Sequence, residues 1–186
     1  MELFPALQIG WLNGWVLLCI LYSIFGVLLL AFPKEVVRRL YDRSDWSRMQ
    51  RVLILIGKLM ALIWFPLVIF TPLKIGTPVF ALGTVIFALG LVGFVVALFN
   101  FRNTPLDQPV TKGLYRISRN PQQFMLLVSG VGISIAIGSW LALLTIVLGL
   151  AFAHFRILAE EGTCLRQYGD SYRVYMERVP RYFLLF

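Results

Sequence analysis

The chain has 186 residues, one domain's worth, yet 59% of them are hydrophobic and only 14% charged, against about 45–50% and about 25% in a soluble domain. So short a chain has too little interior to hide that excess, so lipid must solvate much of it. The net charge of +8 comes from basic residues bordering apolar spans, a pattern of topology signals and headgroup contacts that argues against nucleic acid as a partner.

Residues 1–10 carry a single charge, Glu2, and no basic start before an apolar core, so no cleaved signal peptide is expected. The first apolar span is predicted over residues 11–32, about 30 Å of helix, with Trp11 and Trp15 in an interfacial belt and Pro33 as its stop. A basic connector follows, with Lys34, Arg38, Arg39, Arg43, Arg48 and Arg51. The second span, residues 52–72, is apolar except for Lys58. The third, 77–101, is apolar throughout, with Gly83, Gly90 and Gly93 as points of close helix packing. Residues 102–123 form the longest polar break. Residues 124–158 would make about 50 Å of helix, too long for one crossing, so Gly138 and Ser139 are predicted to turn a hairpin before Trp140. From Glu160 onward, charges and aromatics interleave as in a short helical tail near the headgroups.

The expected fold is thus an all-α integral membrane protein of about five transmembrane helices, the last two a hairpin, with a short cytoplasmic helical tail. It forms a single membrane domain, 1–186: three N-terminal helices over 1–101, then loop, hairpin and tail over 102–186. With the N-terminus outside, fifteen Lys and Arg fall inside and only Lys74 outside, with Lys58 within a span, as the positive-inside rule requires. A prokaryotic inner membrane is the expected setting, and the oligomeric state is left open. Cys19, Cys164 and the single His154 have no metal-ligand spacing, so neither a metal site nor a disulfide is expected. His154 reads as a packing or hydrogen-bonding residue, and Tyr168, Tyr172 and Tyr175 as aromatics that seat the tail on headgroups.

Two polar stretches flank the hairpin: residues 113–121, Gly-Leu-Tyr-Arg-Ile-Ser-Arg-Asn-Pro, and residues 156–180, which include Glu160-Glu161. A hairpin returns the chain to its starting face, so the two are predicted to meet. An Arg- and Asn-rich loop facing two carboxylates suits a small zwitterion, guanidinium for its carboxylate and glutamate for its ammonium. Arg156, four residues before Glu160, should face it on a helix.

The pattern G-x-Y-x-x-x-R-N-P, an apolar hairpin, E-E, then Y-G-D-S-Y-R-x-Y and R-V-P-R resembles the membrane methyltransferases that include isoprenylcysteine carboxyl methyltransferase and the phospholipid N-methyltransferases. The resemblance runs from Val110 to Phe183; many members carry histidine at Asn120 and an aromatic at Gln123. It implies an S-adenosylmethionine-dependent methyltransferase whose lipid or other lipophilic acceptor enters from the bilayer. It also implies that Gly113, Leu114, Tyr115, Arg119, Asn120, Pro121, Glu160 and Glu161 bind the cofactor, with Arg119 and Glu160 as catalytic candidates. Two other classes compete: a non-catalytic lipid-binding or scaffolding protein, and a sterol-reductase-like NADPH enzyme, which is usually much longer.

Overall fold

In the computed structural model, residues 1–42 and 48–183 are described; Arg43 of the predicted connector and residues 184–186 of the tail lie outside them. The described residues form seven α-helices and no named strand: α1 (Trp15–Ala31), α2 (Lys34–Tyr41), α3 (Arg48–Phe70), α4 (Pro78–Arg102), α5 (Pro121–Ala136), α6 (Trp140–Tyr168) and α7 (Asp170–Arg178). A single 3-10 turn, Gly113–Arg116, lies between α4 and α5. Among the described residues, two helices, α4 and α6, are long and apolar enough to cross a bilayer; α1 and α5 are shorter apolar helices, and α3 is apolar over its described stretch Gly57–Phe70. The large apolar side chains of α4 and α6 point mostly outward: Leu82, Val85, Leu89 and Val92, and Leu144, Val147 and Leu148, are all exposed. A soluble protein would bury such stripes; here they suit lipid.

Gly14 meets Thr71, Lys74 meets Ala136 and Glu2 meets Gly138 at one end, so α1, α3, α4, α5 and α6 run in alternate directions. α4 packs chiefly on α5 and α3 on α6. Glycines explain the first contact. A Cβ on Gly83 would run into the backbone of Ala136 and Gly132, and one on Gly90 into Ser129, so both glycines admit backbone-to-backbone approach. Gly93 meets only the flexible side chain of Met125. Between α3 and α5, the indole of Trp64 donates to Ser134 Oγ at 3.0 Å, and Ser134 donates in turn to Gly130 O. Both groups thus find partners where water is absent.

The structure departs from the predicted elements in three places. The first helix begins at Trp15, not residue 11, because residues 1–14 cross one end of the bundle instead of entering it. Glu2 N donates to Gly138 O, Gln8 N to Phe70 O and Gly14 N to Thr71 O, and Trp11 is exposed. The connector is not a plain loop: residues 34–41 form α2, with Glu35 in its first turn and Arg38 and Arg39 in its last, as the helix dipole favours. Lys58 lies within the second span as expected, exposed and near the middle of α3. The hairpin turns at Gly138 as predicted, with φ +67° there and the Ser139 side chain accepting from Ala142 N. Its second arm, however, does not end near residue 158. α6 is about 44 Å long and carries Glu160 and Glu161 on the same rigid helix.

Candidate functional site

At the end of the bundle opposite the hairpin turn, α2, the start of α5, the last turns of α6 and α7 enclose a cleft of about 490 Å³. That lies within the range of about 300–1,000 Å³ usual for small-molecule sites. Its walls include Tyr115, Arg119, Asn120, Glu160 and Glu161, five of the eight predicted cofactor contacts, together with Arg156.

The two polar stretches do meet. Asn120 Nδ2 donates to Glu161 Oε1 at 3.1 Å, and Gln123 Nε2 to Glu160 Oε2 at 2.6 Å. Arg156 Nε, one helical turn before Glu160, donates to its Oε1 at 2.8 Å, the predicted pairing. The local fold explains the approach. Pro121 opens α5, where its missing N–H costs nothing, and this sets Asn120 and Gln123 facing α6.

The remaining predicted contacts lie elsewhere. Gly113, with φ +61°, turns the chain so that Leu114 N receives the side chain of Asn100 as acceptor at 2.9 Å. Gly113 and Leu114 therefore pack on α4 and do not line the cleft, and Pro121 is buried behind it. These three residues shape the loop that carries Tyr115, Arg119 and Asn120.

The two carboxylates differ. Glu161 is buried, its side chain 5% exposed, and its oxygens are taken up internally. Arg181 Nε lies 3.2 and 3.1 Å from Oε1 and Oε2, Arg181 Nη2 reaches Oε2 at 2.9 Å, and Asn120 adds its amide. Glu160 is 29% exposed and accepts one bond on each oxygen, from Arg156 and Gln123, leaving lone pairs toward the cleft. Arg119 is the opposite case. Its side chain is only 9% exposed, and its Nε and Nη1 have no hydrogen-bond partner; Glu161 Oε1 stands 3.5 Å from Nε, in Coulombic but not hydrogen-bonding contact. A buried guanidinium with two open donors is costly unless an anion completes it.

The tyrosines expected at the headgroups are instead part of the site. Tyr172 and Tyr175 are buried and line the cleft, and Tyr175 Oη donates to Tyr115 O at 2.7 Å. Burial pushes both phenols far above their ordinary range, so they remain protonated donors. His154 Nδ1 lies 2.6 Å from Tyr182 Oη, the hydrogen-bonding reading of that residue.

Other site residues escaped the sequence reading. Arg39 of α2 donates to Pro105 O at 3.1 Å and Gln108 O at 2.7 Å, and its guanidinium stacks 4.9 Å from the Phe101 ring and 5.6 Å from that of Tyr168. It fastens α2 over the cleft. The strong amphipathicity of residues 34–41 was the available signal. Beside the cleft lies an apolar annex of about 160 Å³, lined by Leu21, Tyr22, Phe25, Phe94, Leu98 and Leu126. Leu40, Gln122, Gln123 and Arg156 border both spaces, and Gln122 Nε2 there is buried without a partner.

Comparison with curated proteins and with solved structures returns no match. A family model does match. It spans residues 67–171, more than half of the chain, and so takes in α4, which lies before the Val110–Phe183 stretch that carries the motifs. It covers the loop of Arg119 and Asn120, the hairpin and both glutamates, which form part of the cleft wall, while α2 and most of α7 lie outside it. The model describes a methyltransferase of lipid substrates, and the chain belongs to the phospholipid methyltransferase family.

Proposed function

We propose that the chain is an S-adenosylmethionine-dependent methyltransferase that binds its cofactor in the cleft and a lipid acceptor across the cleft and annex. The observation that carries this reading is the buried guanidinium of Arg119, with two open donors, in a chamber that Glu160 also lines. The cofactor's amino-acid end bears one carboxylate and one ammonium. Arg119 suits the first. Glu160, with lone pairs to spare, suits the second. Tyr115 gives an aromatic wall for the adenine, and Asn120 holds the loop to α6. Glu161 acts by fixing that loop, and Gly113, Leu114 and Pro121 by shaping it.

The cofactor supplies an electrophilic methyl on sulfur for in-line transfer to a nucleophile. The protein's share is alignment and exclusion of water. The annex suits the acceptor's apolar part, and Gln122, Gln123 and Arg156 mark where its polar head passes into the chamber. An amine acceptor must lose a proton before it attacks. Glu160 is the carboxylate exposed enough to take that proton on an oxygen, whereas a thiolate or carboxylate acceptor would need no base.

We also infer five crossings, by α1, α3, α4, α5 and α6, within one membrane domain of residues 1–186. Support comes from their alternating direction and outward apolar faces. The clustering of Lys and Arg at the cleft end favours a cytoplasmic cleft and an external N-terminus.

The test is calorimetric titration of the detergent-purified protein with S-adenosylhomocysteine, with NADPH as control, followed by radiolabelled methyl transfer to phosphatidylethanolamine vesicles. Saturable binding of the first compound alone is the expected result. Binding of NADPH alone would replace this reading with a reductase, and binding of neither by folded protein would leave a non-catalytic lipid binder.

A further inference from the structure

Residues 179–182 lie beyond the segment that the family model matches, yet they form one wall of the loop that carries Arg119. Arg119 N donates to Pro180 O at 3.0 Å. Ser118 Oγ donates to Arg181 O at 2.9 Å, and Asn120 Nδ2 lies 3.4 Å from the same carbonyl. The strap continues to the His154–Tyr182 hydrogen bond on α6. These backbone contacts fix where the side chain of Arg181 sits, and it sits on Glu161.

Two guanidinium groups flank that one carboxylate. Arg181 reaches both oxygens, at 2.9–3.2 Å, and Asn120 takes a further site on Oε1. A carboxylate offers about four lone-pair positions, and these contacts use them. Arg119 Nε is left at 3.5 Å with no hydrogen bond, and its Nη1 has none either. The distance matters: closing it to hydrogen-bonding range needs a movement of under about 1 Å. The positions on that carboxylate are already occupied by Arg181 and Asn120.

We propose that Arg181 is a positioning residue of the site: by occupying Glu161 it withholds that carboxylate from Arg119 and keeps the Arg119 guanidinium open to an anionic ligand group. The assignment rests on the reading of the cleft as a cofactor site only for the identity of the ligand. Without Arg181, a carboxylate that is 5% exposed has one cation within reach. Pairing with it restores charge balance and blocks the donors that the ligand needs.

Two measurements on the full detergent-purified chain test this. The first uses no ligand: a thermal-unfolding double-mutant cycle between Arg119→Met and Glu161→Gln, run with Arg181 present and again with Arg181→Ala. The coupling between Arg119 and Glu161 is expected to be clearly larger once Arg181 is gone; an unchanged coupling overturns the proposal. The second is the dissociation constant of S-adenosylhomocysteine. Arg181→Ala should weaken binding at least tenfold, Arg181→Lys less, and Arg181→Ala with Glu161→Gln should return the affinity to that of Glu161→Gln alone. A merely structural strap gives no such rescue, and a double variant that binds as weakly as Arg181→Ala overturns the assignment. If Arg181→Ala does not fold, the double variant, which lacks the stranded charge, decides by the same comparison with Glu161→Gln. Failure of the unaltered protein to bind S-adenosylhomocysteine would refute the cofactor reading, and the ligand-free cycle would then decide the role of Arg181 alone.

Discussion

The two ends of the helix bundle are built by different means. At the end away from the cleft, the backbone does the joining. Lys74 N donates to Ala136 O, Leu73 N to Leu12 O and Trp140 N to Glu2 O, while buried Asn13 ties Gln8 O and Ile69 O together through its amide. At the cleft end, side chains do the joining: Arg39, Arg156, Arg181, Asn120 and Gln123 hold carbonyls and carboxylates, and Arg119 is left with open donors. A closed end made of main-chain bonds is indifferent to most side chains. An end made of paired charges is chemically competent, and single substitutions there should act on binding before they act on folding.

That contrast can be broken by experiment. The largest effect should come from Arg119→Ala, which removes two charge-assisted donors worth about 1.5–3 kcal/mol each to a bound anion. S-adenosylhomocysteine affinity should fall at least about a hundredfold in calorimetry, while the melting temperature stays within about 2 °C. A large thermal loss without an affinity loss would make Arg119 a structural residue. Gly14→Ala is the counterpart at the closed end. Its Cβ would stand 2.6 Å from Val68 O and 2.8 Å from Ile137 Cγ2, so about 2 kcal/mol of stability should be lost in denaturant titration with ligand affinity unchanged.

Smaller effects sharpen the comparison. Tyr175→Phe deletes the buried bond to Tyr115 O and should cost about 1 kcal/mol, with an affinity loss of about threefold because Tyr115 belongs to the cleft wall. The smallest effect is expected at the Glu2–Lys74 ion pair, 2.7 Å long and solvent-exposed. Its hydrogen bond to Lys74 lowers the Glu2 carboxyl below its usual value. Any stabilisation is therefore present at neutral pH and fades only as pH falls through that lowered value. Glu2→Gln should leave the melting temperature unchanged at pH 7, since solvent screens such pairs.

The helices and the meeting of the two polar stretches were legible in the sequence because both follow from period and length. An apolar run too long for one crossing must fold back, and a glycine at the right place says where. Gly83 and Gly90 were legible as close-packing points for a similar reason, since helix contact needs small residues at helical spacing. The role of α2 was not. A basic amphipathic stretch reads equally as a topology signal, and the grip of Arg39 on carbonyls of residues 105 and 108 leaves no trace in spacing. Nor was the difference between adjacent glutamates visible. Neighbours on a helix project about 100° apart, and only the tertiary fold decides that Glu161 faces Arg181 while Glu160 faces the opening. Gln123, where the related enzymes usually carry an aromatic, turned out to hold Glu160.

The strap over the Arg119 loop also imposes an order on biogenesis. Ser118 and Asn120 are translated some sixty residues before the Arg181 carbonyl that they bind, with sequence separations of 63 and 61. Every helix of the bundle has left the peptidyl-transferase centre by then. The cleft is therefore completed last, and a nascent chain halted after α6 would hold Glu161 beside Asn120 and Arg119 with Arg181 still missing.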